Sequence, residues 1–412
     1  MKRADGLRRV VVTGFGMVTP IGLDSNETWA SMKQGKSGVS RIENFPLEDL
    51  YIHIAGEIKG FDPAKHVTSK KIQYGERYSW FAGRAAEEAW RMSGLPTPYN
   101  NPYRSCCIIG SGAGGYSTVE TAYRDLFINN KRATHPLTLL RIIGSSASAH
   151  VGIEYGIKGP TFATCSACST ATHAIGIAYD YIRHGLVDVG VAGASEAVLT
   201  YGSMRTWQAM RVLSPDGCFP FSKRRNGTVL AEGSGILVLE EYEHAKRRGA
   251  KILAELRGFG MSSDSKDMVN PDIDGPRSAM QFALDDAGLD PSEIDYLNAH
   301  GTATALNDVN ETNAIKDVFG DHAYKMAISS TKSMHGHLLG AGGGVEAGVC
   351  IKAINEGWVP PTVGYTEPDP KCDLDYVPNE GRSMKVRYTM SNSFAFGGLN
   401  AVLVFGPAPE AA

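Results

Sequence analysis

In the segment GPTFATCSACSTATHAIGIAYDYIRHG, Cys168 stands between an extended run and a helix that should begin near Ser169 or Thr170 and stop at Gly185. A thiol at a helix N-terminus feels the positive end of the helix dipole, which lowers its pKa and raises the thiolate fraction, the reactive form. The placement predicts a nucleophile. Cys165, three residues earlier, completes a C-x-x-C spacing, so a redox dithiol and half of a zinc site are the rival chemistries. The sequence contains no second C-x-x-C and no short βαβ context of the thioredoxin kind.

Two further segments carry titratable groups. In IDYLNAHGTATALND, Ile294 to Ala299 read as a strand and His300 stands at its exit, beside Gly301, Thr302 and Thr304. In SSTKSMHGHLLGAGGGVEAG, Lys332, His335 and His337 precede a helix that starts with small residues. Glycine-rich helix starts commonly cradle phosphate, but the GxxxxGK[ST] and GxGxxG orders are both missing here. One cysteine and two histidines could ligate a metal, or form a Cys–His pair of a protease or acyltransferase. A reaction that accepts an acyl group on sulfur and also stabilises an enolate has work for one thiol, two imidazoles and a lysine together.

The elements that must position these groups form an alternating series. Strand-like runs at Arg9 to Thr13, Ser105 to Gly110, Val187 to Ala192 and Gly235 to Glu240 alternate with helical stretches such as Tyr78 to Ser93 and Ala171 to His184. That pattern predicts an α/β protein with helix-covered sheets. EGSGILVLEEYE at Glu232 to Glu243 is echoed by AFGGLNAVLVFG at Ala395 to Gly406, each a glycine-rich turn feeding a buried strand. The echo predicts two similar halves, residues 1–255 with the cysteine and 256–412 with the histidines, joined at a turn near Gly249.

Composition bounds the partners. The 412 residues are 42% hydrophobic and 21% charged, with 41 Lys+Arg against 44 Asp+Glu, so nucleic acid and anionic membranes are not expected as main partners. The basic, then apolar N-terminus resembles the start of a secretory signal, but Gly14 and Gly16 interrupt it and it reads as a first strand. No run approaches the roughly 18 apolar residues of a spanning helix. Seven cysteines without regular spacing argue against a disulfide framework and for a reducing cytoplasm. Cys106, Cys107 and Cys350 lie in apolar segments and are expected to be buried small hydrophobes.

The motifs VVVTGFGMVTPIG, AGASEA, VLAEGSGILVLEEYEHAKRRGA, NAHGTAT, STKSMHGHLLGA and NSFAFGGLNAVL run from one end of the chain to the other. Together they resemble the β-ketoacyl-acyl-carrier-protein synthases, most closely synthase II of fatty-acid elongation, within the thiolase-like superfamily. The resemblance implies a five-layered αβαβα duplication of two similar halves, usually a homodimer. It implies that Cys168 holds the acyl chain, that His300 and His337 promote decarboxylation of a malonyl unit, and that Lys332 supports the second histidine. It further implies an oxyanion hole from the N–H groups of Cys168 and Phe396, with Phe396 also gating acyl entry. Thr302 and Thr304 match hydroxyls that bind the phosphopantetheine arm, and Asp308 and Glu346 match supporting acids. No metal and no free cofactor are implied, because the substrates ride on the phosphopantetheine of an acyl carrier protein.

Several positions depart from the family pattern. Ala395 replaces a glycine and Leu399 a threonine beside Phe396. Ala113 in GSGAGG replaces a bulky pocket residue, which predicts room for longer or less flexible acyl chains. Trp207 and Leu137 fall at pocket-lining or dimer-facing positions. Lys131, Arg132, Arg211, Lys70 and Lys71 are the candidates for a basic rim facing an acidic carrier protein. A specialised ketosynthase of very-long-chain lipid, aryl polyene or polyketide synthesis would share this chemistry. A noncatalytic chain-length partner would lack the nucleophile.

Overall fold

The computed structural model describes residues 6–66 and 69–409. Ten strands form its main sheet: β1 (Val10–Val18), β2 (Ser105–Gly110), β3 (Thr161–Phe162), β4 (Val189–Glu196), β5 (Gly233–Glu241), β6 (Ala254–Ser263), β7 (Ile294–Asn298), β8 (Ala327–Ser329), β9 (Tyr388–Ala395) and β10 (Leu399–Gly406). The first five are ordered β1-β5-β4-β2-β3 and the second five β6-β10-β9-β7-β8. In each set the first two pairings are antiparallel and the last two parallel. The identical order and sense twice over is the duplication. β1 and β6 pair antiparallel through Val10–Val12 and Ala254–Leu256, which fuses the two sets into one sheet.

Five helices layer the sheet: α1 (Arg77–Ser93), α2 (Thr170–Arg183), α3 (Asp274–Ala287), α4 (Ala305–Phe319) and α5 (Gly342–Glu356). α1 covers β1 and β5 on one outer face, and α3, with α4 packed on it, covers β6 and β10 on the other. α2 and α5 lie between and touch strands of both sets, giving the five-layered αβαβα thiolase-like arrangement. The central strands read as nearly continuous apolar runs because both faces are covered; all nine residues of β5 are buried.

Gly14 and Gly16 do not end the first strand; β1 runs through both. A Cβ on them would sit 2.0 Å from the carbonyl oxygens of Ala89 and Ala85 in α1. The second half repeats the device, with Gly258 and Gly260 of β6 against the carbonyls of Ala283 and Ala279 in α3. The glycines that weaken a sequence-based strand assignment are therefore the close-packing points of the fold. The two echoed segments supply β5 and β10, which hold equivalent places in the two sets. Cys106, Cys107 and Cys350 are fully buried.

The strand assigned to Val187–Ala192 runs instead from Val189 to Glu196. Its last residues are small and polar, yet they pair along β5 through Glu196 and Gly233. Among the described residues, no helix is long and apolar enough to cross a membrane.

Candidate active site

Cys168 occupies a 3-10 turn, Ala167–Ser169, at the entrance to α2. Ala167 is held at φ +47°, a left-handed conformation that costs a residue with a side chain about 1–3 kcal/mol and that persists where the surroundings over-determine it. The surroundings do so here. Ser169 Oγ donates to the carbonyls of Ser393 (2.9 Å) and Leu399 (2.7 Å), tying the turn to β9 and β10. Thr170 Oγ1 donates to Ala167 O (2.7 Å) and accepts from the Ser166 N–H (2.9 Å).

His300 leaves the end of β7 in a loop held by α4. The N–H groups of His300 and Gly301 donate to the two oxygens of Glu311, at 2.8 and 2.7 Å. One turn earlier on α4, Asp308 accepts from the N–H groups of Phe221 (2.7 Å) and Ala303 (3.2 Å). Burial pushes the carboxyl of Glu311 up to about 7 and that of Asp308 up to about 6. Their task is to fix the backbone of the histidine loop. His337 is fixed as firmly, its N–H donating to Val229 O (2.7 Å) and its carbonyl accepting from the Ala231 N–H (2.9 Å).

These loops bring the three groups together. Cys168 Sγ lies 3.2 Å from His337 Nε2, and the two imidazoles stand edge to face with centroids 5.4 Å apart. The Leu339 N–H donates to His337 Nδ1 (3.3 Å), which places the ring proton on Nε2, the atom that faces the sulfur. Burial, reinforced by the Lys332 ammonium, pushes both histidines well below their ordinary pKa. Both rings are neutral, and His337 is a hydrogen-bond donor toward the site.

The same tautomer bears on the metal alternative. The three ligand atoms lie within 4.8 Å of one another, close enough for a soft cation. A metal-bound imidazole donates its remote N–H to an acceptor, whereas the remote nitrogen of His337 accepts. Cys165 is exposed and packs its sulfur against Gly112 O at 3.7 Å, so the two sulfurs of the C-x-x-C face different surroundings.

The expectation that the helix dipole lowers the Cys168 pKa is reversed. Burial pushes the thiol up to about 12, with Lys332 pulling down against it and Glu196 adding to the rise. Cys168 is only 7% exposed, and its thiol loses the water that would solvate the anion.

Lys332 lies in the helical turn Lys332–His335 and forms an ion pair with Glu346 of α5, each side chain 1% exposed. Lys332 was expected to support the second histidine. Its bonded partner is Glu346, and it acts on both imidazoles through its charge.

A cavity of about 340 Å³ opens onto Cys168 and is lined by both histidines, Thr302, Thr304, Trp207 and Phe396. The two threonine hydroxyls are 2.9 Å apart, and the Trp207 and Phe396 rings are 6.1 Å apart. Arg211 lies at the cavity edge in a left-handed conformation. Ala113 does not line this cavity; it packs against the apolar cluster that contains Cys168, Val198, Leu199 and Met204. Leu137 is half-buried and caps the short helix Thr138–Ile142. Lys131 pairs with Asp125 (2.8 Å), Arg132 is exposed, and the side chains of Lys70 and Lys71 lie outside the described residues.

Four residues that hold this site, Glu311, Glu196, Asp264 and Met268, were not singled out in the sequence. Glu311 sits three residues beyond Asp308 on the same helix face, a spacing that flags the pair. Glu196 is the acid of the AGASEA segment. Asp264 and Met268 carry no sequence signal, yet they brace the Phe396 loop. Gly397 N–H donates to Met268 O (2.9 Å), and Asp264 N–H donates to Gly398 O (3.0 Å).

Residues 7–245 match the family model for the β-ketoacyl synthase N-terminal domain and residues 253–366 that for the C-terminal domain. The chain is 47% identical over 398 residues to nodulation protein E of Rhizobium meliloti (strain 1021), covering 97% of this chain and 99% of that one. It is 42% identical over 405 residues to 3-oxoacyl-[acyl-carrier-protein] synthase 2 of Staphylococcus aureus (strain COL), covering 97% and 98%. A ketosynthase solved in complex with its type II polyketide acyl-carrier protein superposes with a TM-score of 0.89 at 35% identity, covering 98% of this chain and all of that one.

Proposed function

The chain belongs to the β-ketoacyl synthase family, and from that premise we propose that Cys168 holds the growing acyl chain while His300 and His337 decarboxylate the incoming malonyl unit. The protein is an acyl-transferring condensing enzyme whose partner is an acyl carrier protein. The observation that carries the assignment of roles is the group at the cavity end: a sulfur 3.2 Å from a neutral Nε2–H, with a second neutral imidazole beside it.

In the first step the Cys168 sulfur bonds to the acyl carbon, and the carrier's pantetheine sulfur leaves with the thiol proton. The N–H groups of Cys168 and Phe396 receive the oxyanion. In the second step the malonyl C–C bond breaks, carbon dioxide leaves, and the electron pair forms an enolate. Two neutral imidazoles donating hydrogen bonds stabilise that enolate oxygen better than they do the ground-state carbonyl, which is the differential that accelerates the step. The enolate carbon attacks the acyl carbon, and Cys168 leaves as thiolate. The product is a β-ketoacyl carrier two carbons longer.

Thr302 and Thr304 hold the pantetheine arm along the cavity wall, and Trp207 and Phe396 face the entering chain. The half ending near residue 255 supplies the nucleophile and the half after it supplies the histidines. The enzyme works as a cytoplasmic homodimer and needs no free cofactor or metal. Arg211, at the cavity edge, is the best placed of the basic candidates to meet an acidic carrier.

Incubation with a ladder of acyl carriers, read by intact mass, is expected to add one acyl group at Cys168; no adduct with any chain length would sink this reading. Ala113 supports a second reading, a ketosynthase of a specialised lipid or polyketide pathway, because a methyl group stands where the family pattern has a bulky side chain, packed on the cluster of Val198 and Leu199. Ala113→Phe is expected to move the preferred chain to shorter members of the same ladder. An unchanged length profile in that variant refutes the role of Ala113.

A further inference from the structure

Thr228 lines the cavity that opens onto Cys168 and is only 3% exposed. Its backbone is fully bonded, the N–H donating to Val212 O (2.8 Å) and the carbonyl accepting from the Ser214 N–H (2.8 Å). Its hydroxyl oxygen has no hydrogen-bond partner among the described residues. A threonine hydroxyl offers one donor and two acceptor positions, and leaving it buried and unbonded costs free energy. An unbonded group in the wall of a cavity is therefore a group kept for what enters the cavity.

The neighbours of Thr228 in the chain show which part of the cavity it serves. The Gly227 N–H donates to Ala303 O (3.1 Å), in the loop that carries His300, and Val229 O accepts from the His337 N–H (2.7 Å). Thr228 thus stands between the two histidine loops, where the proposed reaction places the malonyl unit. That unit brings two polar groups, a thioester carbonyl and a carboxylate. The imidazoles take the carbonyl oxygen, which leaves the carboxylate to be recognised. The lining asparagines are already engaged: Asn226 donates to Asp216 (2.8 Å), Asn307 to Asp308 (3.2 Å) and Asn400 to Asp264 (2.7 Å), and Asn270 bonds Asp267. Arg211, the one Lys or Arg of the lining among the described residues, lies at the cavity edge.

We propose that the Thr228 hydroxyl donates a hydrogen bond to the carboxylate of the malonyl unit, and that Thr228 thereby selects malonyl thioesters over thioesters without the acid. The inference rests on the reading that His300 and His337 act on a malonyl unit. A neutral donor suits a carboxylate that must leave as carbon dioxide. A cation in the same place would hold the charged ground state harder than the transition state, in which the charge has moved onto the enolate.

Thr228→Val keeps the branched shape and removes the hydroxyl. Because that oxygen has no protein partner, the variant is expected to melt no lower than the wild type. In carbon dioxide release from malonyl carrier protein its KM is expected to rise about tenfold, the loss of one hydrogen bond to a charged group, with kcat equal or higher. The KM for acyl carrier protein, read from loading of Cys168 by intact mass, is expected to rise far less, which separates lost carboxylate recognition from damaged carrier docking. Thr228→Ser returns the hydroxyl and brings the malonyl KM back toward the wild-type value. Thr228→Ala reads the same ratio of KM values if Thr228→Val does not fold. An unchanged malonyl KM, an equal rise for both carriers, or a lower kcat at unchanged KM overturns the proposal and leaves the histidine reading intact. A wild-type enzyme that releases no carbon dioxide from malonyl carrier protein overturns both.

Discussion

Cys168→Ala is expected to form no acyl adduct and to lose condensation by on the order of 10⁴-fold or more, while malonyl decarboxylation continues. The split follows from which residues touch which half of the reaction. In the proposed reaction the sulfur is needed only to receive and release the acyl group. In that proposal the enolate rests on His300 and His337, whose loops are anchored by Glu311 and by Val229 and not by Cys168. Alanine keeps the Ala167–Ser169 turn, because the clamping hydroxyls belong to Ser169 and Thr170. The variant should therefore fold, and its melting temperature should stay near that of the wild type. Intact mass after incubation with acyl carrier reads the first half, and carbon dioxide release from malonyl carrier reads the second. Loss of both activities together in a folded variant would mean that the sulfur takes part in decarboxylation, and the division of labour would be wrong.

Much of this site was legible in the chain because its chemistry lies at the ends of regular elements. Cys168 precedes a helix whose start at Thr170 the sequence marks, and His300 stands where an apolar strand runs out. The identical strand order of the two halves was foreshadowed by two similar glycine-rich turns, which became β5 and β10. What the chain did not disclose is what depends on burial. The thiol pKa rises where a dipole argument has it fall, since no sequence pattern reports that Cys168 ends up 7% exposed. Glu196 and Glu311 look like ordinary surface acids until the fold turns backbone N–H groups onto them. The Met268 carbonyl that braces the Phe396 loop is a backbone group, and side-chain identity says nothing about it.

The buried pair of Lys332 and Glu346 gives the second large effect, and it separates stability from chemistry. Glu346→Ala leaves an ammonium with 1% exposure and no counter-charge, and is expected to destabilise the fold by about 3–5 kcal/mol. Replacing both partners by apolar residues, as in Lys332→Met with Glu346→Leu, removes the charge and its desolvation cost together, and should restore the melting temperature. Catalysis should not recover with it. The Lys332 charge disfavours a second positive charge on His300 or His337 and favours a negative one on Cys168. Without it, both imidazole pKa values rise from their depressed positions toward the ordinary value near 6.5. The acid limb of the decarboxylation profile then moves to higher pH. In the same variant the thiol pKa climbs further, so alkylation of Cys168 at neutral pH slows. A double variant that melts like the wild type and also condenses like it at every pH would show that the ion pair is packing alone. The opposite result, a stable protein with an acid limb shifted upward, assigns Lys332 to keeping both histidines neutral and able to donate.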